Sequence, residues 1–588
     1  MKRFFGKLLA WIGGIVVLFI ALILAVALWF KPSAKPVASS TILELNLETA
    51  LAEQVPEDPF AQLQTRGQAS VRGIVEALEK AGGDSKIKGL IAYFGGAPIS
   101  MAEAQEIRDA VTAFRAKKKF AVAYSETFGE VTGASVPYYI ASAFDEIWMQ
   151  PSGDVGLYGV KLEARFVKGT LDKLNVQPRM DHRYEYKNAM NTFTETKFTA
   201  AHRESYARIK DSWYGQMVKA ISQDRKLGAD EVRAAIDRAP LLGKEAVDAH
   251  LVDGLGYKDE FLEKTKAKVG KDAKLLWLSE YGQRGDLPHR KGKRVALIFG
   301  VGGVNRGKSE YDPLQGQTMG SETVAGAFRK AIEDKDVKAI LFRVDSPGGS
   351  YVASDTIWRE VVRARKAGKP VVVSMSTLAG SGGYFVAMAA DKIVAQPGTI
   401  TGSIGVLGGK MITKGLWEKI GISFDSVSSG AHAEMWNNYQ DFSKDEWTRF
   451  EAWLDRVYAD FTSKVADGRK LPKERVLEIA KGRIWTGEDA KNIGLVDELG
   501  GYPTALRLVK QLAKIAETED VELKVYPPPK TRLEAIQALL EGGGSENSEA
   551  EALAQVLVAV QPIARALRSA GLLERGDTTL AMPDVPAR

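Results

Sequence analysis

The sequence predicts an α/β protein built from two copies of one mostly parallel-sheet unit, placed after a single membrane-spanning helix. Three observations predict it: an internal repeat, a regular alternation of short apolar strands with helical stretches inside each copy, and one long uncharged apolar run near the beginning. The repeat is explicit. Residues 135–160 (SVPYYIASAFDEIWMQPSGDVGLYGV) and 381–406 (SGGYFVAMAADKIVAQPGTITGSIGV) align without a gap at a shift of 246, with 11 of 26 positions identical.

The elements follow in order. The run from Leu8 to Phe30 has 23 residues and no charge, enough to cross a hydrocarbon core of about 30 Å as a helix. Lys2, Arg3 and Lys7 precede it, so the N-terminus is expected in the cytoplasm and everything after Lys31 on the far side. A cleaved signal peptide would have a shorter apolar core and a small-x-small site. This one ends Trp29-Phe30-Lys31-Pro32, which favours an uncleaved anchor. A polar stretch leads to the first strand, 41–47, and a matching run, 294–299, opens the second half. Between them 283–293 (QRGDLPHRKGK) is charged and aperiodic, the expected boundary. Residues 86–92 resemble 336–342, and 243–256 resemble 487–500. Helices are expected over 321–333 and 354–366. The expected division is therefore 1–31 anchor, 32–282 first repeat, 283–293 linker, 294–527 second repeat and 528–588 tail. Within the tail, 541–551 (EGGGSENSEAE) reads as a flexible segment and 552–573 as a helix that either caps the fold, the favoured reading, or docks on a partner chain.

Composition is that of a globular protein, 45% hydrophobic and 26% charged, long enough for two full cores. A net charge of +6 over 588 residues, with no basic block, sets nucleic acid aside. There is no cysteine, which excludes disulfides, thiolate nucleophiles and cysteine-ligated zinc.

Candidate chemistry sits at two glycine turns in the second half. The strand-like run 371–375 leads through Ala379-Gly380-Ser381-Gly382-Gly383-Tyr384 into a helical stretch, 385–390. A serine on such a strand-to-helix corner is exposed to attack a substrate, and the glycines leave backbone N–H groups unhindered. The plainer reading is a glycine-rich turn with serine as a helix cap. Upstream, the strand 339–344 runs into Asp345-Ser346-Pro347-Gly348-Gly349-Ser350, a second turn that could complete an oxyanion hole or be a simple β-turn. Both turns are degraded in the first half, which reads Phe94-Gly95-Gly96-Ala97-Pro98 and Ser135-Val136-Pro137.

A serine nucleophile needs a base. The five histidines, His182, His202, His250, His289 and His432, lie in no recognisable triad context, though His182 and His432 are possible neighbours of the site. Most lysines are solvated surface charges. Lys187 stands out because the repeat shift lands it on Ala433. To act as a base it must be buried without a carboxylate partner. Glu185, two residues earlier, would share its face in an extended strand and oppose that role.

These residues resemble the signal peptide peptidase A family (SppA, protease IV) in its long double-domain bacterial form. The resemblance covers about residues 1–530: the anchor, both repeats, and the motifs D-S-P-G-G, A-G-S-G-G-Y, T-G-S-I-G-V and Y-K-N-A. It implies two ClpP/crotonase-like domains and a Ser/Lys dyad. Ser381 would be the nucleophile and Lys187 the general base. Ser403 would orient the lysine amine, and the Gly349 and Gly382 N–H groups would bind the oxyanion. It further implies a serine endopeptidase that degrades residual signal peptides through an acyl-enzyme, with an apolar S1 region and no metal or cofactor. The body would be periplasmic, on a single-pass anchor in a bacterial inner membrane, and assembled as a tetramer. A crotonase-like acyl-CoA enzyme is the alternative, disfavoured by the anchor; an inactive scaffold is another, disfavoured by the intact turns around Ser381.

Overall fold

The computed structural model describes residues 36–54, 69–130, 133–270, 272–284, 287–312, 316–528 and the pair Leu580–Ala581. The expected anchor, the flexible segment 541–551 and the helix 552–573 lie outside the described residues. Among the described residues no helix is long and apolar enough to cross a membrane.

The first half carries a six-stranded sheet. From one edge its order is Gly254–Leu255, Glu146–Met149, Phe120–Ser125, Ile87–Phe94, Thr41–Leu47 and Lys274–Trp277. Every pairing in it is parallel. The second half repeats this core with Lys392–Ala395, Val371–Gly380, Val337–Ser346, Lys293–Val301 and Val521–Tyr526. Strands covered on both faces read as continuous apolar runs. Ile87–Phe94 has one exposed residue, Lys88, and Val337–Ser346 has one, Lys338.

Helices repeat in the same order. Val71–Gly83 and Met101–Ala116 match Ser321–Glu333 and Tyr351–Lys366. Ala200–Arg225 and Lys444–Arg469, 26 residues each, occupy corresponding places. Their ends are set locally. Thr199 and Ser443 accept N–H groups of the first turns, and Lys226 and Lys470 close them in the left-handed region at φ 57° and 55°.

The halves diverge beside the glycine turns. Val371–Gly380 runs on beyond Lys392–Ala395, and within the same eight-stranded sheet Leu378–Gly380 pair with Ile400–Gly402, itself paired with Ile484–Thr486. The first-half strand stops at Ser125, and Asp154–Val155 forms a separate two-stranded ribbon with Leu241–Leu242, touching the chain beyond Ser125 through a single parallel bridge between Val155 and Phe128.

Three features bind the halves together. Strand Gln177–His182 of the first half forms an antiparallel ladder with Leu407–Ile412 of the second, from Leu407 opposite His182 to Ile412 opposite Gln177. Arg343, fully buried, donates to Glu53 Oε1 at 2.7 Å, Glu106 Oε1 at 2.6 Å and Ser374 Oγ at 2.8 Å. Glu53 in turn accepts from Ser376 Oγ at 2.6 Å and Tyr502 OH at 3.2 Å. The main apolar core continues across the junction, joining Leu43, Leu90 and Ile107 to Leu297, Leu341 and Leu508.

Candidate active site

Ser381 stands where Val371–Gly380 leaves the sheet and Gly382–Ala387 begins. Its backbone lies at φ 54°, ψ −115°, a conformation non-glycine residues rarely adopt and that surrounding structure must enforce. The enforcement is visible: its N–H donates to Gly402 O at 2.8 Å, and its carbonyl accepts from Phe385 N–H at 2.8 Å.

Lys187 comes from the other half. The ladder Gln177–His182 delivers the chain to the second half, and Tyr186 N–H donates to Lys481 O at 3.1 Å. Gly482 then packs on the Lys187 backbone so closely that a Cβ there would lie 2.5 Å from Lys187 N; Gly405 covers the side chain, with the Lys187 Cδ 3.2 Å from where its Cβ would be. The result is a fully buried lysine whose Nζ lies 2.7 Å from Ser381 Oγ, 2.9 Å from Ser403 O and 3.0 Å from Ser403 Oγ. Burial alone drives its pKa well below that of an ordinary lysine.

Glu185 does not share the lysine's face. The segment is a turn rather than an extended strand: Tyr184 has φ 67°, and Lys187 N–H donates back to Tyr184 O at 3.2 Å. Glu185 is consequently exposed and faces Lys481 at 3.6 Å.

The two glycine turns meet. A Cβ on Gly382 would lie 2.7 Å from Ser354 Oγ and 3.0 Å from Gly349 N, and one on Gly349 would lie 2.2 Å from Val304 O. Only glycine fits either position, and the two backbones converge beside Ser381. The structure therefore brings Ser381, Lys187, Ser403, Gly349 and Gly382 into one locus.

None of the histidines hydrogen-bonds Ser381 or Lys187, although His182 lies near enough to Lys187 to feel its charge. His182 ends the inter-half ladder and His432 faces Asp445 at 3.2 Å. His289 faces Glu79 at 3.2 Å, and His250 sits in a turn at φ 56°. His202 is buried against Phe166, Phe198 and Tyr206, and burial pushes it down to about 4.

The first-half counterparts do not form a second locus. Ser135 begins a helix after Ala134, without glycines, and buried Leu157 stands at the repeat position of Ser403. Ala433, at the position of Lys187, is exposed. The supports Gly402, Gly405 and Gly482 were not singled out from sequence; at the repeat shift Gly402 and Gly405 stand opposite Gly156 and Gly159, so comparing the halves does not mark them.

Two segments of the chain, 113–272 and 363–516, match the model of peptidase family S49. The chain belongs to peptidase family S49. It is 31% identical over 81% of its length to the chloroplastic serine protease SPPA of Arabidopsis thaliana, covering 70% of that protein. It is 32% identical to Protease 4 of Salmonella typhi, covering 80% of this chain and 76% of that one. Protease 4 of Haemophilus influenzae is 30% identical over 84% of this chain and 83% of its own. This S49 chain is a serine protease with two family segments in tandem. Among solved structures, a ClpP1 mutant from Listeria monocytogenes overlaps 36% of this chain and 95% of its own, at 15% identity and a TM-score of 0.23, too low to carry an argument.

Proposed function

We propose that this S49 protease is a membrane-anchored endopeptidase with a Ser381/Lys187 dyad, acting on residual signal peptides within a ClpP/crotonase-like framework. The observation that carries the dyad is the buried 2.7 Å contact between Lys187 Nζ and Ser381 Oγ, with burial as the sole cause of the lysine's lowered pKa.

A neutral amine has two N–H bonds and one lone pair. Directing the two N–H bonds at Ser403 O and Oγ aims the lone pair at the Ser381 hydroxyl. Lys187 then takes the hydroxyl proton as Ser381 Oγ attacks a peptide carbonyl. The Gly349 and Gly382 N–H groups hold the oxyanion, the leaving amine takes the proton from Lys187, and water releases the acyl-enzyme by the same route in reverse. The signal-peptide substrate rests on the resemblance and on a relative named a putative signal peptide peptidase SppA from Enterococcus faecium. The anchor rests on Leu8 to Phe30, and the domain limits on the repeat.

Self-association is part of the proposal, and the repeat supports it. Shifting Gln177–His182 by 246 gives 423–428, which forms no strand and includes exposed Phe424 and Val427; Ile420, Ile422 and Trp436 nearby are exposed too. The matching edge, by the same shift of Leu407–Ile412, is 161–166. Paired between copies, these edges give a head-to-tail contact that closes into a ring, a tetramer in this proposal.

The test uses full-length chain in detergent. Fluorophosphonate labelling and hydrolysis of apolar peptides should both occur in wild type and vanish in Ser381→Ala. Hydrolysis surviving in Lys187→Ala would sink the dyad.

A further inference from the structure

The turn Lys481-Gly482-Arg483 of the second half holds two parts of the site at once. Its Lys481 carbonyl accepts the Tyr186 N–H at 3.1 Å, and its Arg483 carbonyl accepts the Ser403 N–H at 2.7 Å. The residue before Lys187 and the residue that contacts the Lys187 amine therefore hang from alternate carbonyls of one turn. The side chain of Arg483 joins the same two parts again. Its guanidinium carbon lies 4.9 Å from the Tyr186 ring centre and 4.6 Å from that of Trp485, both within cation–π range. Trp485 in turn packs on Gly402, where a Cβ would lie 2.8 Å from its Cδ1, and Gly402 O accepts the Ser381 N–H. Arg483 Nη1 pairs with Glu204 Oε1 at 2.8 Å, and Tyr186 OH donates to Glu204 Oε2 at 2.8 Å. Glu204 belongs to the first-half helix Ala200–Arg225. One carboxylate and one guanidinium thus clasp the base-bearing turn between the two halves. Stability is a poor reason for the clasp. Glu204 is exposed, where ion pairs contribute little, and Arg483 Nε is buried with no acceptor among the described residues.

We infer that Arg483 is a positioning residue for the base: paired with Glu204, it fixes the Tyr186–Lys187 turn so that the amine stays dry and 2.7 Å from Ser381 Oγ. The inference rests on the dyad proposed above. Arg483 touches no reacting atom and acts only through Tyr186 and Trp485. The charged groups beside the turn are otherwise engaged: Glu185 faces Lys481 at 3.6 Å, Arg183 pairs with Asp181 and Asp455, and Arg483 pairs with Glu204. His182, close enough to sense the Lys187 charge, has its own pKa lowered by burial. Lys187 consequently owes its neutrality to exclusion of water, and exclusion depends on the turn staying closed. With the clasp open, water reaches the amine and its pKa climbs toward that of an ordinary lysine.

The pH profile of kcat/KM, measured on full-length chain in detergent with a fluorogenic apolar peptide and set beside urea unfolding, tests this. Arg483→Met and Glu204→Gln should each lower kcat by about 10-fold to 100-fold, the loss expected when a catalytic group is misplaced by a fraction of an ångström to one ångström, with KM little changed. Both should also move the acidic midpoint of kcat/KM upward, since that midpoint reports the base of the free enzyme. The pair of variants separates placement from simple charge. Removing a cation raises the pKa of a neighbouring amine and removing an anion lowers it, so a charge effect alone would drive the two midpoints in opposite directions. Any result other than a rise in both midpoints would overturn the inference. A fall in kcat that follows the urea midpoint while the pH midpoint stays put is the signature of a merely structural role. In each of these cases an active wild type and an inactive Lys187→Met leave the dyad standing. Hydrolysis surviving in Lys187→Met would remove the dyad and this inference together.

Discussion

Ser381 holds an unfavourable backbone conformation and Lys187 an unfavourable burial, and each serves the other. Neutral Lys187 is the form burial favours, so the base form prevails above its lowered pKa. On the proposed dyad and oxyanion groups, two results are expected. Lys187→Met should lower kcat/KM by at least about 1,000-fold, as loss of a member of a coupled catalytic unit does. Wild-type kcat/KM should rise with pH as the amine loses its proton, with a midpoint well below that of a free lysine. The stability sign is opposite to that of a paired lysine. Between the folded and unfolded pKa values the unfolded chain binds the extra proton, so stability climbs with pH across that window. Lys187→Met should flatten that climb and raise the urea midpoint at neutral pH while removing activity. Gly382→Ala should cost on the order of 100-fold to 1,000-fold in kcat, the loss expected when one oxyanion donor is displaced, because its Cβ would strike Ser354 Oγ and Gly349 N. Ser381 and Lys187 were legible because the repeat displays each beside a degraded copy. Ser403, Gly349 and Gly382 came through resemblance. Gly482 was not legible: its role is a close approach to residue 187, which local spacing does not encode.

At the scale of the element, the strand Val337–Ser346 carries both structural charge and the turn to Gly349. Asp345, one residue from its end, is half-buried, accepts Leu378 N–H at 3.0 Å on Oδ1, and is pushed up to about 7 by desolvation and then by the neighbouring Glu53 carboxylate. Glu103 nearby is likewise raised to about 7, chiefly by burial. A raised carboxyl pKa means the folded state keeps a proton that the unfolded state releases. These groups therefore make stability fall as pH rises from about 4 to about 7. Asp345→Asn preserves the acceptor for Leu378 and removes the titration. Its urea midpoint should exceed wild type at pH 8 and approach it at pH 4; equal gaps at both values would refute the assignment. The strands and helices themselves were legible, since apolar runs of seven to ten residues and capped helices are local patterns. The extra length of Val371–Gly380 was not, because Ile400–Gly402, its partner there, and Ile484–Thr486 beyond it are brought together only by the fold.

Over the whole molecule, the two repeats form one unit. Arg343 is the cation shared by Glu53 and Glu106, all three buried, so truncating it leaves carboxylates uncompensated across the junction. Arg343→Met should destabilise by about 3–5 kcal/mol, read from chemical unfolding, the cost of breaking rather than replacing a buried pair. Glu53→Gln and Glu106→Gln added to it should recover part of that loss. The tandem architecture was legible from the 246-residue shift. That a first-half strand would complete a second-half ribbon was not, because a repeat predicts similarity within units rather than exchange between them.

The ladder between Gln177–His182 and Leu407–Ile412 also has a consequence for biosynthesis. Lys187 leaves the ribosome long before Ser381, and Val521–Tyr526, the strand that flanks Lys293–Val301, comes later still. Contacts so distant along the chain form late and slowly. On the proposed dyad, a growing polypeptide has a base without a nucleophile while the 194 positions from Lys187 to Ser381 are made, and the sheet that holds the serine is completed only by Val521–Tyr526, so hydrolysis is withheld until nearly all of the fold exists. The timing needs no separate inhibitor; it is set by the order of synthesis.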